Sequence, residues 1–175
     1  MPYAITLLLD TEAAALVVAM WEALAARGVS DDALQLGYPP HVTLAVFPDS
    51  ADLERLLRAT REYATQWHRL PFELVSLGLF PGIPATLFLA PVVTPALLER
   101  HAGLLRCVAT ERVDPHYEVG HWVPHVTLAG GLANPPAAVA AVDPSRLPIN
   151  CTLDRLEVVR FRPIAILASH RLIAA

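Results

Sequence analysis

Pro40-His41-Val42-Thr43-Leu44-Ala45 and Pro124-His125-Val126-Thr127-Leu128-Ala129 spell the same six residues, PHVTLA, once in each half of the chain. The sequence around them does not match so closely, so the hexapeptide itself needs an explanation. Side chains alternate faces along a β-strand, so His41 and Thr43 point one way while Val42 and Leu44 point the other. The second copy sorts His125 and Thr127 from Val126 and Leu128 in the same manner. Duplicated packing accounts for the Val, Leu and Ala of each copy. It gives no reason to keep His and Thr on the opposite face.

The segments around the copies read as alternating strands and helices. Tyr3 to Leu9 is a short run of strand formers, ended by Asp10-Thr11, which can cap a helix from about Glu12 to Ala26 that stops at Gly28. A polar loop with Gly37 and Pro39-Pro40 leads into the strand HVTLAVF, which ends at Pro48. Ser50 is the expected cap of a second helix, ADLERLLRATREYATQW. Two strands follow, LPFELVSLGLF and ATLFLAPVV, separated by the turn PGIP. Thr94-Pro95 opens a third helix through Arg112, HWVPHVTLAGG is another strand, and Asn134-Pro135 starts a short helix. INCTLDRLEVVRF and AILASHRLIA close the chain as strands around Arg162-Pro163. Each half thus holds strands, helices and one PHVTLA. The expectation is a single α+β domain over residues 1–175, with two pseudo-symmetric lobes that pack helices against antiparallel sheets.

Composition narrows the function. Of 175 residues, 54% are hydrophobic and 17% charged, which suits a packed core and excludes a disordered chain. A net charge of −4 argues against an extended nucleic-acid surface but leaves room for a local phosphate site. The basic side chains are all Arg, with no Lys. Cys107 and Cys151 are too few for a disulfide framework and are expected as buried thiols in a reducing compartment. The apolar N-terminus lacks a basic start and is broken by Asp10 and Glu12, so neither a signal peptide nor a membrane span is expected. The expected location is the cytoplasm.

The spacing of His and Thr points to phosphate chemistry. Positions i and i+2 of a strand lie roughly 6.5–7 Å apart, which lets an imidazole and a hydroxyl touch different atoms of one tetrahedral group. Two such strands facing each other would supply two imidazoles, one to take a proton and one to give it, on opposite sides of a phosphorus. The threonine hydroxyls would donate to the non-bridging oxygens. This scheme needs no metal and no cofactor. A metal site built from His116, His121, His125 and His41 is disfavoured, because Gly120 and Pro124 break any helix that could space the ligands and no carboxylate or cysteine joins them.

Two His-x-Thr strands in separate halves of a chain of this length resemble the signature of the 2H phosphoesterase superfamily, in particular its bacterial 2′-5′ RNA ligase-like and cyclic phosphodiesterase branch. The resemblance spans nearly the whole chain, including the approach HWVPHVTLAGG to the second motif. It implies a bilobal fold with a central cleft and the motifs on facing strands. It further implies chemistry on 2′,3′-cyclic phosphates or 2′-5′ linkages, with a nucleotide or RNA terminus as partner. On this resemblance His41 and His125 become the acid–base pair, and Thr43 and Thr127 the phosphate clamps. For opening a cyclic phosphate, His125 is assigned to water and His41 to the leaving oxygen, an assignment that pseudo-symmetry leaves reversible.

The chain departs from the family in having no basic residue beside either motif; Arg160, Arg162 and Arg171 are candidates by their place near the closing strands. Phe47 and Trp122 flank the motifs, and Tyr38 and Tyr117 lie on loops that enter them. These four form the possible substrate-contacting set, since aromatic rings stack on single-stranded bases, although core packing is the commoner role for the first two. His68, His101 and His170 lack partners in sequence and are expected at the surface or at helix ends. Two readings compete with an enzyme: a non-catalytic module that binds a nucleotide or RNA end in the same cleft, and a protein whose cleft holds only anions.

Overall fold

The computed structural model describes residues 2–161 and 163–174. Its elements follow the expected order. They are β1 (Tyr3–Leu9), α1 (Thr11–Ala26), α2 (Asp32–Leu36), β2 (His41–Phe47), α3 (Leu53–Ala64), β3 (Leu70–Phe80), β4 (Ala85–Pro91), α4 (Pro95–Cys107), β5 (Val126–Leu132), α5 (Pro135–Ala141), β6 (Ile149–Arg160) and β7 (Ala165–Arg171). Short 3-10 turns stand at Pro115–Tyr117 and Pro144–Arg146.

Local chemistry explains the helix starts. Asp10 accepts from the Ala13 N–H at 3.0 Å, and Thr94 from the Leu97 N–H at 3.2 Å ahead of Pro95. The second long helix is capped by Asp52, not Ser50, with the Asp52 carboxylate accepting from the Arg55 N–H at 3.1 Å. Helix α4 ends at Cys107, short of Arg112, and the approach HWVP is irregular, so β5 begins only at Val126. The loop before β2 contains the short helix α2, which ends on Gly37 with φ of 63°, a left-handed conformation that glycine adopts without strain.

The strands join one seven-stranded antiparallel sheet in the order β2-β1-β6-β3-β4-β5, with β7 also on β6. The expected sheets are therefore continuous, and β6 is the reason. Its first residues pair with β3, from Ile149 opposite Leu74 to Leu153 opposite Leu70. The remainder pairs with β1 on one side and β7 on the other. Helices cover one face of the sheet. There Val42, Leu44, Val126 and Leu128 are at most 1% exposed and pack with Val17, Leu24, Leu56 and Leu104 from the helices. The opposite face carries a smaller apolar cluster of Ala4, Leu8, Tyr38 and Val159.

The two outermost strands of the path, β2 and β5, come together and are cross-braced. Trp122, just ahead of β5, donates its indole N–H to the Thr43 carbonyl of β2 at 2.9 Å. Trp21, on α1, donates to the Thr127 carbonyl of β5 at 3.0 Å. The backbone of each motif threonine is thereby held by an indole from elsewhere in the chain. Trp122→Phe keeps an aromatic ring but removes the donor, leaving a carbonyl without its partner. It is expected to lower stability by about 1–3 kcal/mol, read as a lower urea midpoint at unchanged slope.

Candidate active site

The register turns both motifs toward the same side. Thr43 pairs with Thr6, and His41 with Leu8, on the face of the smaller apolar cluster. A cavity of about 390 Å³ opens there; its polar lining is His41, Thr43, Thr127, Tyr117, Thr6 and Tyr38, and its apolar lining Ala4, Leu36, Val46, Val159, Phe161 and Ile164. A smaller cavity of about 100 Å³ lies against His41 and Thr127 from the side of α2, lined also by Trp21 and Asp32. His125 shares a strand face with Thr127 but lies outside the lining of both cavities. Its charge nevertheless acts on His41.

Both imidazoles are held in the same way. His41 Nδ1 lies 2.8 Å from the Pro39 carbonyl, and His125 Nδ1 lies 2.7 Å from the Val123 carbonyl. A carbonyl only accepts, so each Nδ1 carries the hydrogen and each Nε2 is left to exchange a proton. The peptide two residues ahead of each histidine thus fixes its tautomer. Tyr38 meets the His41 ring edge-on, with centroids 4.8 Å apart. Phe80 and Phe88 flank His125 at 4.9 and 5.2 Å. Phe88 lies over Gly78, where an added Cβ would come within 2.2 Å of the ring, so the glycine makes the room that this aromatic wall occupies.

Burial lowers the proton affinity of both imidazoles. At His41 the Pro39 carbonyl works against burial, the charge of His125 adds to it, and Glu157 opposes it. The mutual repulsion disfavours two protons on the pair. Tyr117 is hydrogen-bonded to the Thr43 hydroxyl, and burial raises its phenol. Burial likewise raises Tyr38, whose hydroxyl is tied to Thr6 and Glu157.

Not every expected residue reaches the site. Phe47 is 0% exposed in the main core and has no face to offer a ligand. Trp122 is also buried; one ring face stacks on His101 at 4.1 Å and its N–H is spent on Thr43. Tyr38 and Tyr117 do line the cavity, although the ring of Tyr38 is itself almost wholly covered. Arg160 shares a face of β6 with Leu156 and Val158 in the core, away from the motifs. Arg171 lies opposite Arg155 on the edge strand β7, outside the cavity lining. Arg162 falls outside the described residues. His101 is buried, with Nε2 3.0 Å from the Tyr117 carbonyl, and it supports Trp122 instead of standing at the surface. Cys151 is buried as expected, whereas Cys107 is exposed. Among the described residues no three His, Cys, Asp or Glu side chains cluster as a metal ion would require. No helix among them is long and apolar enough to cross a membrane.

Thr6, Phe80, Phe88, Glu157 and Phe161 are neighbours of the site that the sequence reading passed over. For Glu157 a signal exists: it is the lone charge in the apolar run LEVV.

The model of the 2′-5′ RNA ligase superfamily matches residues 11–163, most of the chain. The chain belongs to the 2′-5′ RNA ligase, or 2H phosphoesterase, superfamily. Solved structures of the same fold include TT0787 of Thermus thermophilus, at 18% identity and a TM-score of 0.70, covering 99% of both chains. E. coli LigT complexed with 3′-AMP is similar at 16% identity and a TM-score of 0.65, covering 98% of this chain and 99% of that one. Kluyveromyces marxianus Usb1 is similar at 15% identity and a TM-score of 0.54, covering 98% of both. No curated protein matches the sequence. Membership and the α+β fold with an antiparallel sheet therefore rest on the family match and on whole-chain likeness.

His41, His101 and His125 bind a proton less readily folded than unfolded, since burial lowers each. An unfolded histidine titrates near pH 6.5, so the stability they confer is full above about that pH and is lost as pH falls below it. Urea midpoints should be lower at pH 5.5 than at pH 7.5, and H125N should narrow the gap.

Proposed function

We propose that this protein is a phosphodiesterase or RNA end-processing enzyme acting on 2′,3′-cyclic phosphates or 2′-5′ linkages, with His41 and His125 as acid–base pair and Thr43 and Thr127 as phosphate clamps. The observation that carries the reading is the matched pair of His-x-Thr strands. Both keep Nδ1 on a backbone carbonyl, and both turn His and Thr away from the core. The fold reads as one domain of two related lobes, β2-β1-β6-β7 and β6-β3-β4-β5, which share β6 and each contribute one motif.

In hydrolysis of a cyclic phosphate, His125 Nε2 takes a proton from water as the water oxygen attacks phosphorus. The bond from phosphorus to one ribose oxygen breaks, and protonated His41 gives that oxygen its proton. Thr43 and Thr127 donate hydrogen bonds to the non-bridging oxygens, where charge gathers in the transition state. The proton taken up by His125 then replaces the one lost by His41, which closes the cycle without any further reactant. Ligation follows the same steps with a ribose 5′-hydroxyl in place of water: His125 takes its proton as the 5′ oxygen attacks phosphorus, and His41 protonates the released ribose oxygen.

The apolar lining of the larger cavity suits a nucleoside, with Phe161 and Ile164 as contacting residues. Solved relatives that hold 3′-AMP or uridine monophosphate support a nucleotide as the ligand. H41A and H125A are each expected to abolish turnover of a 2′,3′-cyclic nucleotide while circular dichroism stays that of the parent. T43V and T127V should lower kcat by about 10²–10³-fold each, the scale of one lost transition-state donor. Turnover by both His variants at the parental rate contradicts the proposal, and binding of nucleoside monophosphates without any turnover by the parent favours a binding module.

A further inference from the structure

The cavity face of the sheet carries one buried carboxylate that the proposed reaction does not use. Glu157 on β6 is 2% exposed. It lies in a cross-strand row with Thr43, Thr6 and Ser169, which runs over β2, β1, β6 and β7. Both of its oxygens are engaged: Oε2 accepts from the Tyr38 hydroxyl at 2.8 Å, and Oε1 from the Ser169 hydroxyl at 2.7 Å. The Tyr38 hydroxyl is in turn 2.8 Å from the Thr6 hydroxyl, which donates to it because the phenol proton is already given to Glu157. The ring of Tyr38 closes the chain by standing edge-on to His41.

Taking a carboxylate out of water is unfavourable unless it is fully bonded, and an apolar residue would pack as well beside Ala4, Leu8 and Val159. Packing alone therefore does not account for Glu157. Its charge favours a proton on His41. Among the groups near His41 are His125 from just ahead of β5, Tyr38 from the loop ahead of β2, Glu157 from β6, Tyr117 across the larger cavity and Asp32 of α2 across the smaller one. Arg155, on the same face of β6, lies in the cross-strand row of His41 through Leu8 and acts on Tyr38. Around His125 stand the aromatic rings of Phe80 and Phe88. Burial and the charge of His125 disfavour a proton on His41, and the charge of Glu157 opposes them.

We propose that Glu157 is a positioning residue: through Tyr38 it holds the ring of His41, and its charge favours a proton on that ring, as the general acid requires. This rests on the acid–base reading above.

The test is E157Q, which preserves shape and removes charge, compared with the parent by NMR titration of the histidine side chains and by pH–rate profiles on a 2′,3′-cyclic nucleotide. In E157Q the ring of His41 should titrate at lower pH than in the parent, and that of His125 should not fall with it. Turnover at neutral pH should drop roughly five- to twentyfold, the scale of a unit charge about two strand spacings away. The alkaline limb of the profile should move to lower pH, with KM changed less than about twofold. An unmoved His41 titration, or movement of the acid limb alone, overturns the proposal. E157D keeps the charge and should titrate at His41 as the parent does; if E157Q does not fold, a fall of His41 in E157D overturns the proposal and parental titration supports it. A parent that turns over no cyclic nucleotide removes the acid–base reading, while the titration comparison still decides whether Glu157 sets the proton on His41.

Discussion

Two indole N–H bonds hold the site together. Trp122 grips the Thr43 carbonyl and Trp21 the Thr127 carbonyl, so neither motif strand can shift along its axis without breaking a bond to another part of the chain. The strands they tie, β2 and β5, stand at opposite ends of the path through the sheet and have no ladder between them. Besides the long path through the sheet, these bonds and the Asp114 N–H to Val46 carbonyl bond at 2.8 Å fix the spacing of the two His-x-Thr pairs. The stacking of Trp122 on buried His101 extends the support into α4.

On this frame the two halves are alike in the motif each carries and unlike in what surrounds each histidine. Each histidine is fixed by the carbonyl two residues ahead, and each threonine lies on the same face as its histidine. The neighbours then diverge. His41 stands beside a bonded set of Tyr38, Thr6, Glu157 and Ser169, whereas His125 stands against Phe80 and Phe88. Duplication can supply two equivalent imidazoles, but acid–base chemistry needs them inequivalent at any given moment. A charged, hydrogen-bonded setting on one side and an aromatic one on the other provide that difference.

Much of this is legible in the sequence. The order of strands and long helices follows from caps such as Asp10 and Thr94 and from period-two runs such as HVTLAVF. The facing of His and Thr away from Val and Leu follows from strand geometry. What is not legible depends on contacts across the sheet. Nothing local distinguishes Phe47, which is sealed in the core, from Phe80 and Phe88, which flank a histidine; only register and the space left by Gly78 separate them. Trp122 adjoins a motif and so reads as a stacking ring, yet its partners, Thr43 and His101, lie far off in sequence. The continuity of the sheet is hidden as well, because β6 reads as one ordinary strand until its two halves are seen to pair with different neighbours.

The central claim is that both His-x-Thr pairs grip one anion. Titrating the ¹⁵N-labelled protein with a nucleoside 2′-monophosphate, while following the Nε2 resonances of His41 and His125, tests it most directly. Both resonances are predicted to move with a single shared midpoint while both Nδ1 atoms stay protonated. Movement of only one of them, or two separate midpoints, would contradict it.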